Sequence, residues 1–583
     1  MNKIKNYWQK CLLPSFSPLF ESEEGLKRIA LWPSVPDEGR HNSYADGVKG
    51  LGVSLLFGLC LCSCYADKGN YDYHKLDAVT ISTEGTEIQD EYAIMRFDEL
   101  ELTPNVSFNG QQVTDAASAP LDYMWTFFSA ASGAGSSNAI DTLGYDRHLK
   151  ATIIRPSGNY FAQLTVTNRN DGISYFWRVP VAVSDAFDGG WMIFYECADH
   201  AGYSDLALVL NPWVKDNATF NRCYTDLYRL TNGNALPGHP IRCLDIAMTL
   251  SGHNVVGLCT DQTLVGVTDN AIELVMNFPH FFNEAPEVEK PLWYSHQGSG
   301  GVSGQSAEVL INDNKIYTNI YSLSPTGERE SHFGIPMFNN DGGVLAAWNA
   351  ELANPLQYNI VVYDQTYHRF LYAPYRSAQL EGFGAQDMSI AAFDVNATDM
   401  TFVMGDWGVG TSRVYAHDYM LMAKGSERYL AVANFSTSNP NNNAIGLGLY
   451  PLDVLCPDIT SATTMSASNV GHFIYYGAGS HVYNLAYDSN QPADIAWTAP
   501  SPDEEVTCVR IMKYYHGSIY GAFGRVPQAD NLVHIATWNP VTRQGHLYQY
   551  LINPASGILD ETVSFDYPIP GRVKDMAWKF SMQ

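Results

Sequence analysis

Between residues 78 and 184 apolar and polar positions alternate in short runs. Residues 159–167 place Tyr160, Ala162, Leu164 and Val166 on one face, and a turn cluster at 168–172 (Asn-Arg-Asn-Asp-Gly) follows. Tyr175, Trp177, Val179, Val181 and Val183 then alternate again. Period-two alternation on both sides of a turn predicts a hairpin of two half-buried strands. Residues 78–82, 100–103 and 121–127 supply further short strands. Roughly seven strands without a helical period predict a β-sandwich over 75–184.

From residue 185 to 583 the pattern changes but stays β. An aliphatic residue followed by tyrosine recurs at Leu227-Tyr228, Ile316-Tyr317, Val414-Tyr415, Val482-Tyr483, Ile519-Tyr520 and Leu547-Tyr548. Hairpin-like units accompany it: 360–364 turning through Gln365-Thr366 into 369–372, and 535–538 turning through Asn539-Pro540 into 545–550. No amphipathic helix longer than about ten residues is evident. Meandering hairpins at roughly 45–60 residues per unit predict a β-propeller of about six to eight blades, with two stacked sandwiches as the competing architecture. The fold class is therefore all-β, a β-sandwich followed by a propeller-like domain.

The N-terminal residues carry an address. Lys49 precedes an apolar stretch from Leu51 to Leu61, too short to span a bilayer, and Ser63-Cys64 follow. Leu61-Cys62-Ser63-Cys64 resembles the bacterial lipobox, with Cys62 where a smaller residue is usual. The chain turns polar directly after Cys64. Cys64 is therefore the expected lipidated N-terminus, 48–63 the signal peptide and 64–74 a tether. No methionine lies between Met1 and Met95, and 1–47 fits no signal peptide, so it reads as upstream sequence with Val48 as the start.

Tyr123-Met124-Trp125-Thr126-Phe127, then Ser157-Gly158-Asn159-Tyr160 and Leu164-Thr165-Val166-Thr167-Asn168, resemble the paired strands of a PKD domain. With the lipobox and the lead-in Cys64-Tyr-Ala-Asp-Lys-Gly-Asn-Tyr-Asp-Tyr73, the chain resembles the PKD-like family lipoproteins of Bacteroidota, well over 64–184 and in general character beyond. The resemblance implies an Ig-like sandwich, an outer-membrane location at the cell surface, and partnership with a SusC/SusD-type uptake system that captures glycans or peptides.

Charge narrows the partners. The 583 residues hold 61 acids against 34 Lys and Arg, a net charge of −27, and removal of 1–63 leaves −28. Such acidity disfavours nucleic acid and other polyanions. Of the ten cysteines, six follow Cys64: Cys197, Cys223, Cys243, Cys259, Cys456 and Cys508. Their even number permits bridges, but buried free thiols are the expectation, and no spacing suggests zinc.

Candidate chemistry is sparse. Gly405-Asp406-Trp407-Gly408-Val409-Gly410 lacks the framing of a phosphate loop and reads as a turn between blades. The 339–343 and 312–314 segments read as tight turns, and Asp503-Glu504-Glu505 as a solvated loop. No H-E-x-x-H or G-x-S-x-G occurs, so no catalytic residue, metal or cofactor is assigned, although a glycosidase needs only two carboxylates remote in sequence. Aromatic supply stands out instead. Trp293, Tyr294 and His296 adjoin a Gly/Ser-rich stretch to residue 305, Trp407 lies in the Gly-rich segment, and Tyr514-Tyr515 precede His516-Gly517. Rings on loops over a rigid β scaffold can stack on sugar faces or peptide side chains, although most such rings fill the wedges between blades. The expectation is a non-catalytic, lipid-anchored ligand-binding protein, with a secreted hydrolase or a structural adhesion protein as alternatives.

Overall fold

The computed structural model describes residues 77–579 except 116–117, 131–138, 185–186, 188, 217, 251–252, 299–304, 323–331, 341–345, 350–357, 375–376, 413–414, 436–444 and 514–526. The proposed leader, Cys64 and the tether up to residue 74 lie outside the described residues. Among those described, no helix is long and apolar enough to cross a membrane.

The sandwich is built as the alternation requires. Gly158–Asn168 and Ser174–Ser184 form the expected hairpin, with Trp177 opposite Leu164 and Val181 opposite Tyr160. Leu121–Ser129 flanks Gly158–Asn168 on its other side, placing Trp125 opposite Leu164. Tyr92–Met95 and Ile140–Gly144 complete a five-stranded sheet. Val79–Ser82, Asn105–Phe108 and Gln111–Gln112 form a second sheet, and Glu99–Leu102 pairs with Leu149–Thr152. Leu100, Leu102, Val106, Trp125, Phe127, Leu164 and Val166 fill the space between.

Seven further sheets follow among the described residues, each of three to five antiparallel-paired strands apart from one short parallel addition at an edge. Blade 1 combines Gly571–Lys579, from the end of the chain, with Gly190–Cys197, Tyr203–Leu210 and Arg222–Tyr224. The inner strands of blades 2 to 7 are Pro240–Leu250, Pro291–Gly298, Ala346–Asn349, Thr401–Ser412, Thr464–Ala467 and Glu505–Ile511. Each neighbours the next, and the Gly571–Lys579 strand lies between the last and the first, closing the ring. This is a seven-bladed propeller, within the expected six to eight.

Each pair of adjacent blades encloses its own apolar wedge, which explains the aliphatic-tyrosine pairs. Side chains of successive strand residues point to opposite faces. Ile316 enters the wedge between blades 3 and 4 while Tyr317 enters that between 2 and 3. Val482 and Tyr483 divide in the same sense around blade 6, and Leu547 and Tyr548 around blade 7. Leu227-Tyr228 departs from this reading, since both residues open a six-residue helix, Leu227–Asn232, whose N-terminal backbone is held by Asp205. The six cysteines after residue 64 are all free, and all but Cys223 are buried.

Three local expectations have different outcomes in the structure. Asn312-Asp313-Asn314 is a tight turn, with Asp313 and Asn314 both left-handed. Gly405 to Gly410, expected as a turn, instead lies inside the Thr401–Ser412 strand. The reason is steric: a Cβ on Gly408 would come within 2.5 Å of the Ser468 carbonyl oxygen of blade 6. Glu504, expected in a solvated loop, is buried and accepts hydrogen bonds from Thr537 Oγ1 at 2.8 Å and Tyr548 OH at 3.3 Å.

Among the described residues, the Met95 to Asp98 turn of the sandwich contacts the propeller. Arg96 is buried and donates to the Asn270 and Ala271 carbonyls of blade 2 at 3.3 and 3.4 Å. Phe97, held at φ 67°, packs edge-on against Phe187, which in turn packs on Tyr224 of blade 1. Asp98 pairs with Arg222 at 2.6 Å and accepts from Tyr224 OH at 3.2 Å.

Candidate functional site

The inner strands have no strand partner across the axis, so their outward N–H groups need other acceptors. Side chains supply them. Asp575 Oδ2 of blade 1 accepts from the Cys243 backbone of blade 2 at 2.9 Å. Asp406 Oδ2 of blade 5 accepts from the Ala467 backbone and Ser466 Oγ of blade 6 at 2.8 and 3.1 Å. Thr464 and Ser466 of blade 6 accept from the Val509 and Ile511 backbones of blade 7, each at 3.0 Å. Both axial carboxylates are also paired with cations. Arg510 donates to Asp575 at 3.0 Å, with Arg242 3.5 Å from the other oxygen. Lys513 lies 2.5 Å from Asp406, donates to the Trp407 carbonyl and sits 4.7 Å over the Trp407 ring.

Chain direction defines two ends of this axis. Because neighbouring blade strands are antiparallel, the first and third strands of each blade finish at one end of the axis, here called the upper end. Lys513 lies just beyond the upper end of the blade 7 inner strand. Nearby connections bring together Asn469, 3.5 Å from Asp530, and His472, 2.7 Å from Asp488. Between blades 5 and 6 the Tyr419 and Tyr487 hydroxyls lie 2.9 Å apart. Burial, and then the field of His472, lowers the pKa of His417. The inner strands Pro291–Gly298, Ala346–Asn349, Thr401–Ser412 and Glu505–Ile511 all finish at this same end.

The expected stacking residues are distributed differently. Trp293 is the third residue of the Pro291–Gly298 strand, not part of the loop beyond it; it is half-buried, with the Arg242 guanidinium 4.6 Å over its ring. Tyr294 is fully buried and donates to Glu308 Oε1 at 2.8 Å, in a blade 3 network that Asn319 completes. His296 pairs in backbone register with Glu308. Trp407 is 7% exposed and faces Lys513. The loop placement expected for Trp293, Tyr294 and Trp407 is thus corrected: alternation along an inner strand directs the latter two rings into the protein. Tyr514 and Tyr515 lie outside the described residues.

Sequence reasoning missed Asp406, Arg510, Lys513 and Asp575. The available signal was a charged residue interrupting an apolar strand, as in Val573-Lys574-Asp575-Met576. The thiols are poor nucleophiles: burial pushes Cys197 up to about 12 and Cys508 up to about 11. No group of three His, Cys, Asp or Glu suited to a metal occurs among the described residues.

No curated protein matches the chain. Solved structures that resemble it include a quinonprotein alcohol dehydrogenase-like protein from Bacteroides thetaiotaomicron, 11% identical, covering 86% of this chain and 99% of its own, with a TM-score of 0.39. The periplasmic gluconolactonase of Pseudomonas aeruginosa is 9% identical over 67% of this chain and 99% of its own, also at 0.39. Saccharomyces cerevisiae Sqt1 is 11% identical over 64% and 86%, at 0.36. The propeller assignment rests on the sheets described above. A sequence profile of the PKD-like family matches residues 64–240, which extend beyond the sandwich through the outer strands of blade 1. Over that segment, less than half of the chain, the sequence is similar to the PKD-like family.

Proposed function

We propose that this protein is a non-catalytic, lipid-anchored lipoprotein of the outer-membrane surface. It captures a glycan or peptide at the upper end of its propeller, as accessory to a SusC/SusD-type uptake system, with Cys64 acylated. The observation that carries the binding reading is topological: the inner strands of successive blades end around one axis at the upper end, where residues remote in sequence such as Trp407 and Lys513 meet. The state of the axial carboxylates supports binding over hydrolysis, because Asp406 and Asp575 each face a fixed cation instead of each other.

The test incubates purified, lipid-free protein with a panel of glycans and peptides while following both retention and product release. Tyr514→Ala combined with Tyr515→Ala should weaken retention by about 1–3 kcal/mol, the scale of a lost aromatic anchor, with little dependence on salt. Steady product formation abolished by one Asp or Glu substitution would instead establish a hydrolase. Cys64→Ala should block processing and release the protein from membranes; unchanged mobility and membrane yield would refute the anchor.

A further inference from the structure

We infer that the sandwich turns the upper end of the propeller toward the membrane, leaving the lower end to face away; this rests on the lipid anchor proposed above. Three observations lead there. The Met95 to Asp98 turn docks on the 269–273 connection of blade 2, which joins its third and fourth strands, and on Arg222 at the start of the fourth strand of blade 1. Both belong to the upper end. Gly190, which opens the second strand of blade 1, pairs there with Lys579, the last described residue of the closing strand, and Lys579 donates to the Phe187 carbonyl.

The described chain begins at the opposite pole of the sandwich. Asp77 is held by Asn109, Asn168 and Asn170 at 2.9, 3.3 and 3.0 Å, and its carbonyl accepts from Tyr175 OH. The Ser174–Ser184 strand runs from that pole to the propeller over 11 residues, about 33 Å. The described contacts of the sandwich with the blades come from its other pole. A body tethered upstream of Asp77 therefore keeps the sandwich between the bilayer and the upper end of the propeller. Ligand bound at that end is held on the bilayer side, where a membrane-embedded acceptor would meet it.

The experiment measures the heights of four positions above a bilayer. Val470 and Ile558 are exposed on connections at the upper end; Val454 and Val541 are exposed on connections at the lower end. Each is replaced by Cys in a Cys223→Ser background and labelled with a fluorescent donor, and energy transfer to acceptor lipids in phosphatidylcholine vesicles is recorded. One set carries the acylated N-terminus. In the second, a hexahistidine tag replaces residues 1–64 and binds nickel-chelating lipid. Positions 470 and 558 should lie nearer the bilayer by about 20 Å, most of the length of an eight-residue strand. Equal or reversed heights in the tagged set overturn the inference. Upper-end proximity in the tagged set, with no vesicle binding by the untagged chain, sustains the orientation and refutes acylation of Cys64.

Discussion

Trp125 has no exposed surface, donates its indole N–H to the Asp146 carbonyl at 3.0 Å and meets Trp177 edge-on at 6.1 Å. Trp125→Ala should cost about 3–5 kcal/mol in a urea titration, because the surrounding strands cannot close over the missing ring. An unchanged midpoint for the sandwich transition would contradict the packing. His534 makes a different demand. Its ring lies 3.7 Å from that of Trp191, stacked, and burial lowers its pKa well below the usual value. The folded state keeps it neutral, while the unfolded chain binds a proton below about pH 6.5. Stability from this residue is thus present above that pH and falls by about 1.4 kcal/mol per unit as the pH drops, until the folded-state pKa is reached. His534→Phe should retain the stack and remove this slope, seen by comparing urea midpoints at pH 7 and pH 5. Parallel acid limbs in the two proteins would show that another group carries the loss.

At the scale of elements, half-buried strands were legible and inner strands were not. In the sandwich one face of Gly158–Asn168 meets the core, so alternation marks it directly. In the blades both faces enter wedges: Tyr203–Leu210 is buried at seven of its eight positions, and at 316–317, 482–483 and 547–548 alternation survives as an aliphatic residue beside a tyrosine. Glycines that read as turns in Gly405 to Gly410 admit the neighbouring blade, a close approach that only the assembled ring reveals. The axial charges follow the same logic. Asp575 joins three blades through Cys243, Arg510 and Arg242. Asp575→Ala should destabilise the propeller by about 3–5 kcal/mol, since it strands two cations and a backbone donor in a buried setting. Asp575→Asn, which keeps an acceptor, should lose less. Equal losses for the two substitutions would show that packing, not hydrogen bonding, sets the role of this side chain.

At the scale of the whole molecule, the division near residue 185 was visible as a change in pattern, whereas the joint itself was not. Met95-Arg96-Phe97-Asp98 looks like an ordinary strand end with two charges. Its meaning depends on residues over 120 positions away: Arg222, Tyr224, Asn270 and Ala271. The left-handed φ of Phe97 is costly for an aromatic residue and persists because both neighbours are anchored. The match of the family profile runs past the division near residue 185 to residue 240 and so includes the blade 1 strand that receives Asp98. Arg96→Ala with Asp98→Ala removes the hydrogen bonds of two charged groups across the joint and should reduce coupling by about 2–4 kcal/mol. Phe97, Phe187 and Tyr224 alone form a small apolar contact. In the double variant the sandwich should therefore open before the propeller. Amide exchange reads this directly: protection at Leu164 and Val166 should fall while protection at Ile193 and Val573, in the paired strands that close the ring, is retained. Equal loss at all four amides would mean that sandwich and propeller unfold as one unit for reasons other than this turn.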